Sequence, residues 1–224
     1  MVVSRLALRE LWIGFRLLFL LAVYVVAGAL VAVLPASAPM TLGRLALGVA
    51  AASVAGAATA AWSLSRERAL GRAAWLATHA IPRATILFGW FLSLAVVSIL
   101  GLLAAGLLGW LAVSASTGKP DALAFGITVL SIAATVLALL ALGLLIGASV
   151  GPWPAALATA AACAFLLAVP WMFMPRIALP MEALAQLPQL ASPISIAVQG
   201  AGATLAAAAL LLLVARVILE RIDL

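Results

Sequence analysis

Apolar residues run along this chain in six long stretches, about 17–34, 45–62, 85–113, 122–149, 155–173 and 200–219, and nearly all charged residues fall between them. An α-helix needs ~20 apolar residues to cross the hydrocarbon core of a bilayer, and each stretch is near or above that length. None alternates apolar with polar residues as a membrane β-strand does, so the pattern predicts helices. The third and fourth stretches exceed one crossing, which implies tilt or extension beyond the membrane. The expectation is an all-α, polytopic transmembrane bundle of six helices forming one domain over 1–224.

Two connecting segments have patterns of their own. At 100° per residue, Arg5, Arg9, Trp12 and Arg16 fall on one narrow stripe, while Val2, Val3, Leu6, Leu8, Leu11, Ile13 and Phe15 cover the rest. That arrangement predicts an interfacial helix over 1–16, lying in the headgroup layer before the chain turns into the membrane. In the segment 63–84, Leu70, Ala73, Ala74 and Ala77 recur at helical spacing after the polar run Ser65-Arg66-Glu67-Arg68, predicting a short amphipathic helix along the membrane face. Pro82 breaks the chain before the third stretch.

Composition makes the membrane assignment firmer. The chain is 68% hydrophobic and 8% charged, against ~45–50% and ~25% in soluble domains. The basic residues then orient it. With the N-terminus inside, cytoplasmic segments hold Arg5, Arg9, Arg16, Arg66, Arg68, Arg72, Arg83, Arg216 and Arg221, while outer segments hold only Arg44, Lys119 and Arg176. This positive-inside bias predicts both ends in the cytoplasm and residence in a cell (inner) membrane. A net charge of +6 arranged beside apolar spans points to lipid headgroups rather than nucleic acid. The stretch 17–34, followed by Ala36-Ser37-Ala38, is longer than the ~7–15-residue core of a signal peptide and is expected to stay as a span.

Within the spans, small residues recur four apart: Gly48, Ala52, Gly56 and Ala60; Gly101, Ala105 and Gly109; Gly143, Gly147 and Gly151. Such rows let helix backbones approach closely, and the row beginning at Gly48 is the expected site of tight packing. Chemistry is scarce. No Asp, Glu, Lys or Arg stands near the middle of a span, His79 is the only histidine, and Cys163 is the only cysteine. An ion-coupled pump, a metal-dependent intramembrane hydrolase and a serine hydrolase all need groups that this pattern lacks. No glycine loop ending in Lys-Ser or Lys-Thr is present to cradle a nucleotide. The chain is expected to have no catalytic site, metal or cofactor of its own. His79, Trp62, Trp75, Trp110, Trp153 and Trp171 read as headgroup-level residues, and Arg176 and Glu182 as solvated loop residues.

The segment 63–84 resembles the cytoplasmic loop between spans two and three in membrane subunits of type-2 ABC exporters. That family's pattern runs Glu-Arg-Glu, Gly-Thr, a leucine-rich turn and Pro-Val-x-Arg. Here Glu67 and Arg68 match the opening pair, Gly71 the glycine, Leu76 a leucine, Ile81 the aliphatic position and Arg83 the closing arginine. Ala69, Arg72, Ala74 and Ala80 replace the second acid, the threonine, a following acid and the proline, and Pro82 is displaced by two. The resemblance extends in outline to six spans, an N-terminal interfacial helix and a proline-broken outer segment, here Pro175, Pro180, Pro188 and Pro193 with 181–187 as a short helix.

The resemblance implies a permease whose coupling helix docks on a separate ATPase subunit. Arg66, Glu67, Arg68, Gly71, Arg72, Leu76 and Arg83 would be the coupling residues, and ATP and magnesium would bind in that partner. Two permease copies, identical or related, would enclose the pathway, and its apolar lining would suit a lipophilic or amphipathic substrate. Two other readings stay open: a haem-exporter-type membrane subunit for cytochrome maturation, and a non-transporting membrane scaffold or assembly factor.

Overall fold

The structure is a computed structural model, and it describes Arg9, Trp12 and residues 15–33, 38–71, 82–117, 122–173 and 193–221. Every regular element among them is α-helical. In chain order the elements are α1 (Arg16–Val33), α2 (Ala38–Ala69), α3 (Arg83–Thr117), α4 (Ala122–Ser149), α5 (Pro152–Phe173) and α6 (Pro193–Arg221). Stretches within α2, α3, α4 and α6 are long and apolar enough to cross a membrane, while the apolar parts of α1 and α5, Arg16–Leu30 and Pro152–Leu167, are shorter.

Helix ends differ from the sequence pattern where polar or proline residues sit at a boundary. The second apolar stretch closes at residue 62, yet α2 continues to Ala69 and takes Ser65-Arg66-Glu67-Arg68 onto its last turns. Arginine and glutamate are good helix formers, so loss of apolarity there is not loss of helix. Likewise α5 and α6 begin at Pro152 and Pro193 rather than within the apolar run. Proline is well suited to a first helical position, where its missing N–H costs nothing. Of the expected coupling segment 63–84, residues 72–81 lie outside the described residues, as does the expected short helix over 181–187.

Helices α2, α3 and α4 pack together at the centre of the bundle. Helix α1 lies against α3 and α2, α5 against α2 and α4, and α6 against α4 and the flank of α3. The core follows this arrangement: Leu20, Tyr24, Leu64, Leu87, Leu94, Leu102, Leu140 and Leu144 are its largest fully buried side chains. Outward, α1 presents Leu18, Phe19, Val26 and Leu30, α3 presents Leu100, Leu103 and Leu107, and α6 presents Leu210, Leu213 and Val217. An all-round apolar helix with one face packed and the other bare is the expected form where lipid is the solvent.

Glycine sets two of the closest approaches. A Cβ on Gly147 would stand 2.5 Å from the carbonyl oxygen and 2.9 Å from the Cα of Ala61, and Gly143 faces the backbone of Ala57 in the same manner. Helices α2 and α4 therefore meet backbone to backbone. On the other side of the core, a Cβ on Gly28 would stand 2.7 Å from the Cα of Ala105, and one on Gly101 would enter the ring of Tyr24. The expected row on α2 is mixed: a Cβ on Gly48 would stand a tight 3.2 Å from the Cβ of Ala27 on α1, while Gly56 is at ordinary contact, 3.6 Å from Leu140. The tightest seam instead pairs the α4 glycines with Ala57 and Ala61, one residue along from that row.

Several of the polar residues inside the helices are satisfied locally. Ser53, Thr59, Ser93, Thr135 and Thr204 each donate to the carbonyl four residues back, at 2.6, 2.8, 2.7, 3.1 and 2.7 Å. Such back-bonding keeps a hydroxyl paired where no water is at hand. Tyr24 turns its buried hydroxyl toward Ser53 and Ser98, near Gly56.

Candidate functional site

Six helix ends gather at one end of the bundle, and arginines join them. Alternating up and down, the chain brings the starts of α1, α3 and α5 to the same level as the ends of α2, α4 and α6. Contacts fix this placement: Arg16 at the start of α1 donates to Ser63 Oγ on α2 at 3.2 Å. Near the end of α2, Arg68 donates to the Gly147 carbonyl of α4 at 3.2 Å, and Ser65 donates to the Val150 carbonyl just past that helix. At the start of α3, Arg83 donates to the Leu219 and Glu220 carbonyls of α6, both at 3.0 Å.

The physical cause is common to these contacts. The last four carbonyls of a helix have no intrahelical partner and carry the negative end of its dipole. A guanidinium supplies several donors and a fixed charge, so it satisfies such carbonyls strongly. Arg68 thus caps α4 and Arg83 caps α6. Arg216 pairs with Glu220 at 2.7 Å on the exposed side of α6, a contact of small energetic weight.

Of the residues expected to couple to an ATPase, four lie around the end of α2. Arg66 is exposed, Glu67 and Arg68 are half-buried, and Gly71 is exposed just beyond the helix. Gly71 has a φ of 69°, its N–H bonds the Arg68 carbonyl at 3.0 Å, and a Cβ there would meet nothing within 4 Å. It is a left-handed stop residue, the usual role of glycine after a helix. Arg83 opens α3 and is committed to α6 as described. Arg72 and Leu76 lie outside the described residues.

Of the N-terminal stripe, Arg9 and Trp12 are helical and exposed, and Arg16 begins α1. Between them Phe15 has a φ of 55°, and its N–H bonds the Trp12 carbonyl at 3.0 Å. A bulky residue in the left-handed region marks a deliberate break, so the helical residues before Phe15 are not a straight extension of α1. Arg5 lies outside the described residues. The indole of Trp62 receives two cations: the guanidinium carbon of Arg16 is 4.0 Å from its centroid and that of Arg66 is 5.2 Å away. Sequence reading assigned Trp62 only an anchoring role; the Arg66 contact, one turn along the same helix, was open to helical spacing, whereas the Arg16 contact comes from another helix and was not.

Away from this end, the described side chains offer no metal-ligand cluster. Cys163 is buried against Ala57 and Leu139. The other end is joined by aromatic packing, with Trp110 and Phe125 edge to face at 5.0 Å between centroids. No protein-family model matches the chain, and no curated protein matches it.

Proposed function

We propose that the chain is the permease subunit of an ABC-type transporter, exporter-like in organisation, that moves its substrate with energy from a separate ATP-hydrolysing subunit. The observation that carries the reading is the contrast between an interior without charged groups and one end where the arginines and an exposed, glycine-capped tip of α2 are concentrated. A bundle of this kind has no means of powering transport from within, and a partner would need a polar surface at one end. The residues 66–83 are that surface in this reading. Helices α1 and α5 complete six crossings, the arginine-rich end faces the cytoplasm with both termini, and the membrane is the cell (inner) membrane.

The contacts of Arg68 and Arg83 divide the expected coupling residues by task. Both cap neighbouring helices, so they position the platform. Docking then falls to Arg66, Glu67 and the segment beyond Gly71, including Arg72 and Leu76. A second permease copy encloses the pathway between subunits, and a substrate with apolar character suits its walls. ATP and magnesium belong to the partner.

The test is purification of tagged full-length protein in mild detergent from its native membrane. The reading expects an ATP-hydrolysing subunit to co-purify, its association weakened by Glu67→Ala while membrane insertion is unchanged. Recovery of the permease alone, under conditions that keep it folded, would favour the scaffold reading.

A further inference from the structure

Two buried hydroxyls from different helices meet without pairing. Tyr24 of α1 and Ser98 of α3 are fully buried, and neither oxygen completes a hydrogen bond to the protein. Close packing places them. The Tyr24 ring lies against Gly101 of α3, where a Cβ would stand 2.7 Å from Cδ2. Its hydroxyl is directed at Ser98, one turn before Gly101, and at Ser53 of α2. Each of the three is at least eight residues from the arginine near the polar end of its helix, Arg16, Arg66 or Arg83. At ~1.5 Å per residue they stand about 12 Å or more inside the bundle.

A hydroxyl buried without a partner is costly where lipid surrounds the helices, and a bridging water relieves it where the place is polar and roomy. Gly56 supplies the room. It lies one turn beyond Ser53, and the atoms nearest to a Cβ there would be Leu140 Cδ2 at 3.6 Å, Ser98 Oγ at 3.7 Å and the Tyr24 hydroxyl at 3.8 Å. These are ordinary contacts, so the glycine leaves a recess with both unpaired oxygens on its wall. Proton count then selects the occupant. Tyr24 and Ser98 each have one proton to donate, whereas Ser53 gives its own to the Val49 carbonyl at 2.6 Å and keeps lone pairs free to accept. The occupant must accept twice and donate at least once, which water does. We propose that one water molecule occupies this recess, accepting from Tyr24 and Ser98 and donating to Ser53, and so ties α1, α2 and α3 together deep in the membrane. The site needs no partner subunit and stands apart from the transporter reading.

Tyr24 is the single tyrosine and Cys163 the single cysteine, so carbon-13 labels in these residue types each report one position. Water-edited solid-state NMR of the full-length protein in lipid bilayers tests the site. Transfer from water to the Tyr24 ring is expected to be at least about threefold stronger than to Cys163, which is equally buried but among apolar neighbours. Gly56→Ala fills the recess, and the Tyr24 signal should fall to the Cys163 level. Gly56→Ser brings an oxygen close to the water's place and should unfold in detergent at a higher temperature than Gly56→Ala. Helix propensity argues for the opposite order, which direct pairing of Tyr24 with Ser98 predicts. A Tyr24 signal no stronger than that of Cys163 would overturn the site. So would a signal unchanged in Gly56→Ala, or a Gly56→Ala protein at least as stable as Gly56→Ser. Should Gly56→Ala fail to accumulate, the comparison of Tyr24 with Cys163 in the parent still decides.

Discussion

Helices α2 and α4 touch in two places and by two means. At Ala57 and Ala61 they meet backbone to backbone through Gly143 and Gly147; a turn further on, Ser65 and Arg68 of α2 reach the carbonyls of Gly147 and Val150. In the first region close approach supplies dispersion contacts where lipid removes the hydrophobic drive between helices. In the second, exposed helix carbonyls are available and long cationic side chains satisfy them. Permutation of the two is excluded: an arginine in the seam would be buried in an apolar layer, and a glycine at the end would leave the α4 carbonyls bare. The partition also concentrates the described polar contacts at the end of the bundle that Arg16, Ser65, Arg68 and Arg83 occupy.

The comparison can be broken first at the seam. Gly147→Val would drive a branched side chain into the Ala61 backbone, where neither helix can give way; a loss at the upper end of the ~1–3 kcal/mol overpacking range is expected, read as lower thermal stability in detergent or as failure to accumulate. Gly143→Val should act alike. At the polar end, Arg83→Ala removes two bonds to α6 carbonyls and should cost about 1.5–2 kcal/mol, with faster amide exchange over the last turn of α6 while the α2–α4 seam stays protected. Gly71→Ala keeps every contact but opposes a positive φ, so about 1 kcal/mol is expected, with fraying confined to the end of α2. Arg216→Ala should be the mildest, within about 0.5 kcal/mol, because its ion pair with Glu220 is exposed.

Much of the helical layout was legible because apolar run length is a strong signal. The fourth stretch and α4 share their bounds, and the third falls inside α3. What periodicity could not show was where helix outlasts apolarity. Ser65–Arg68 reads as loop by hydropathy, yet these side chains favour helix and are drawn on by the α4 carbonyls. Glycine spacing identified residues capable of close approach but not their partners; Gly143 and Gly147 needed Ala57 and Ala61, a register that only the fold supplies. In the candidate site, the presence of charge at 66–83 was visible in sequence. The division of that charge was not. Arg68 and Arg83 contact residues 79 and 136 positions away, far beyond any local pattern. In the Arg16–Trp62–Arg66 group only the Arg16 partner was hidden in this way; Arg66 lies one helical turn from Trp62 and was within reach of the sequence.

The central claim is that the exposed tip of α2 meets an ATP-hydrolysing partner. It is tested most directly by placing a photo-crosslinking residue at Leu70, which is exposed on that tip, and, as a control, at Leu210, exposed on the membrane face of α6. Irradiation of intact native membranes is expected to join position 70, and not position 210, to a nucleotide-binding subunit, with the yield falling when Glu67→Ala is added. Adducts from position 70 that contain only lipid, in membranes where such a subunit is present, would contradict the account.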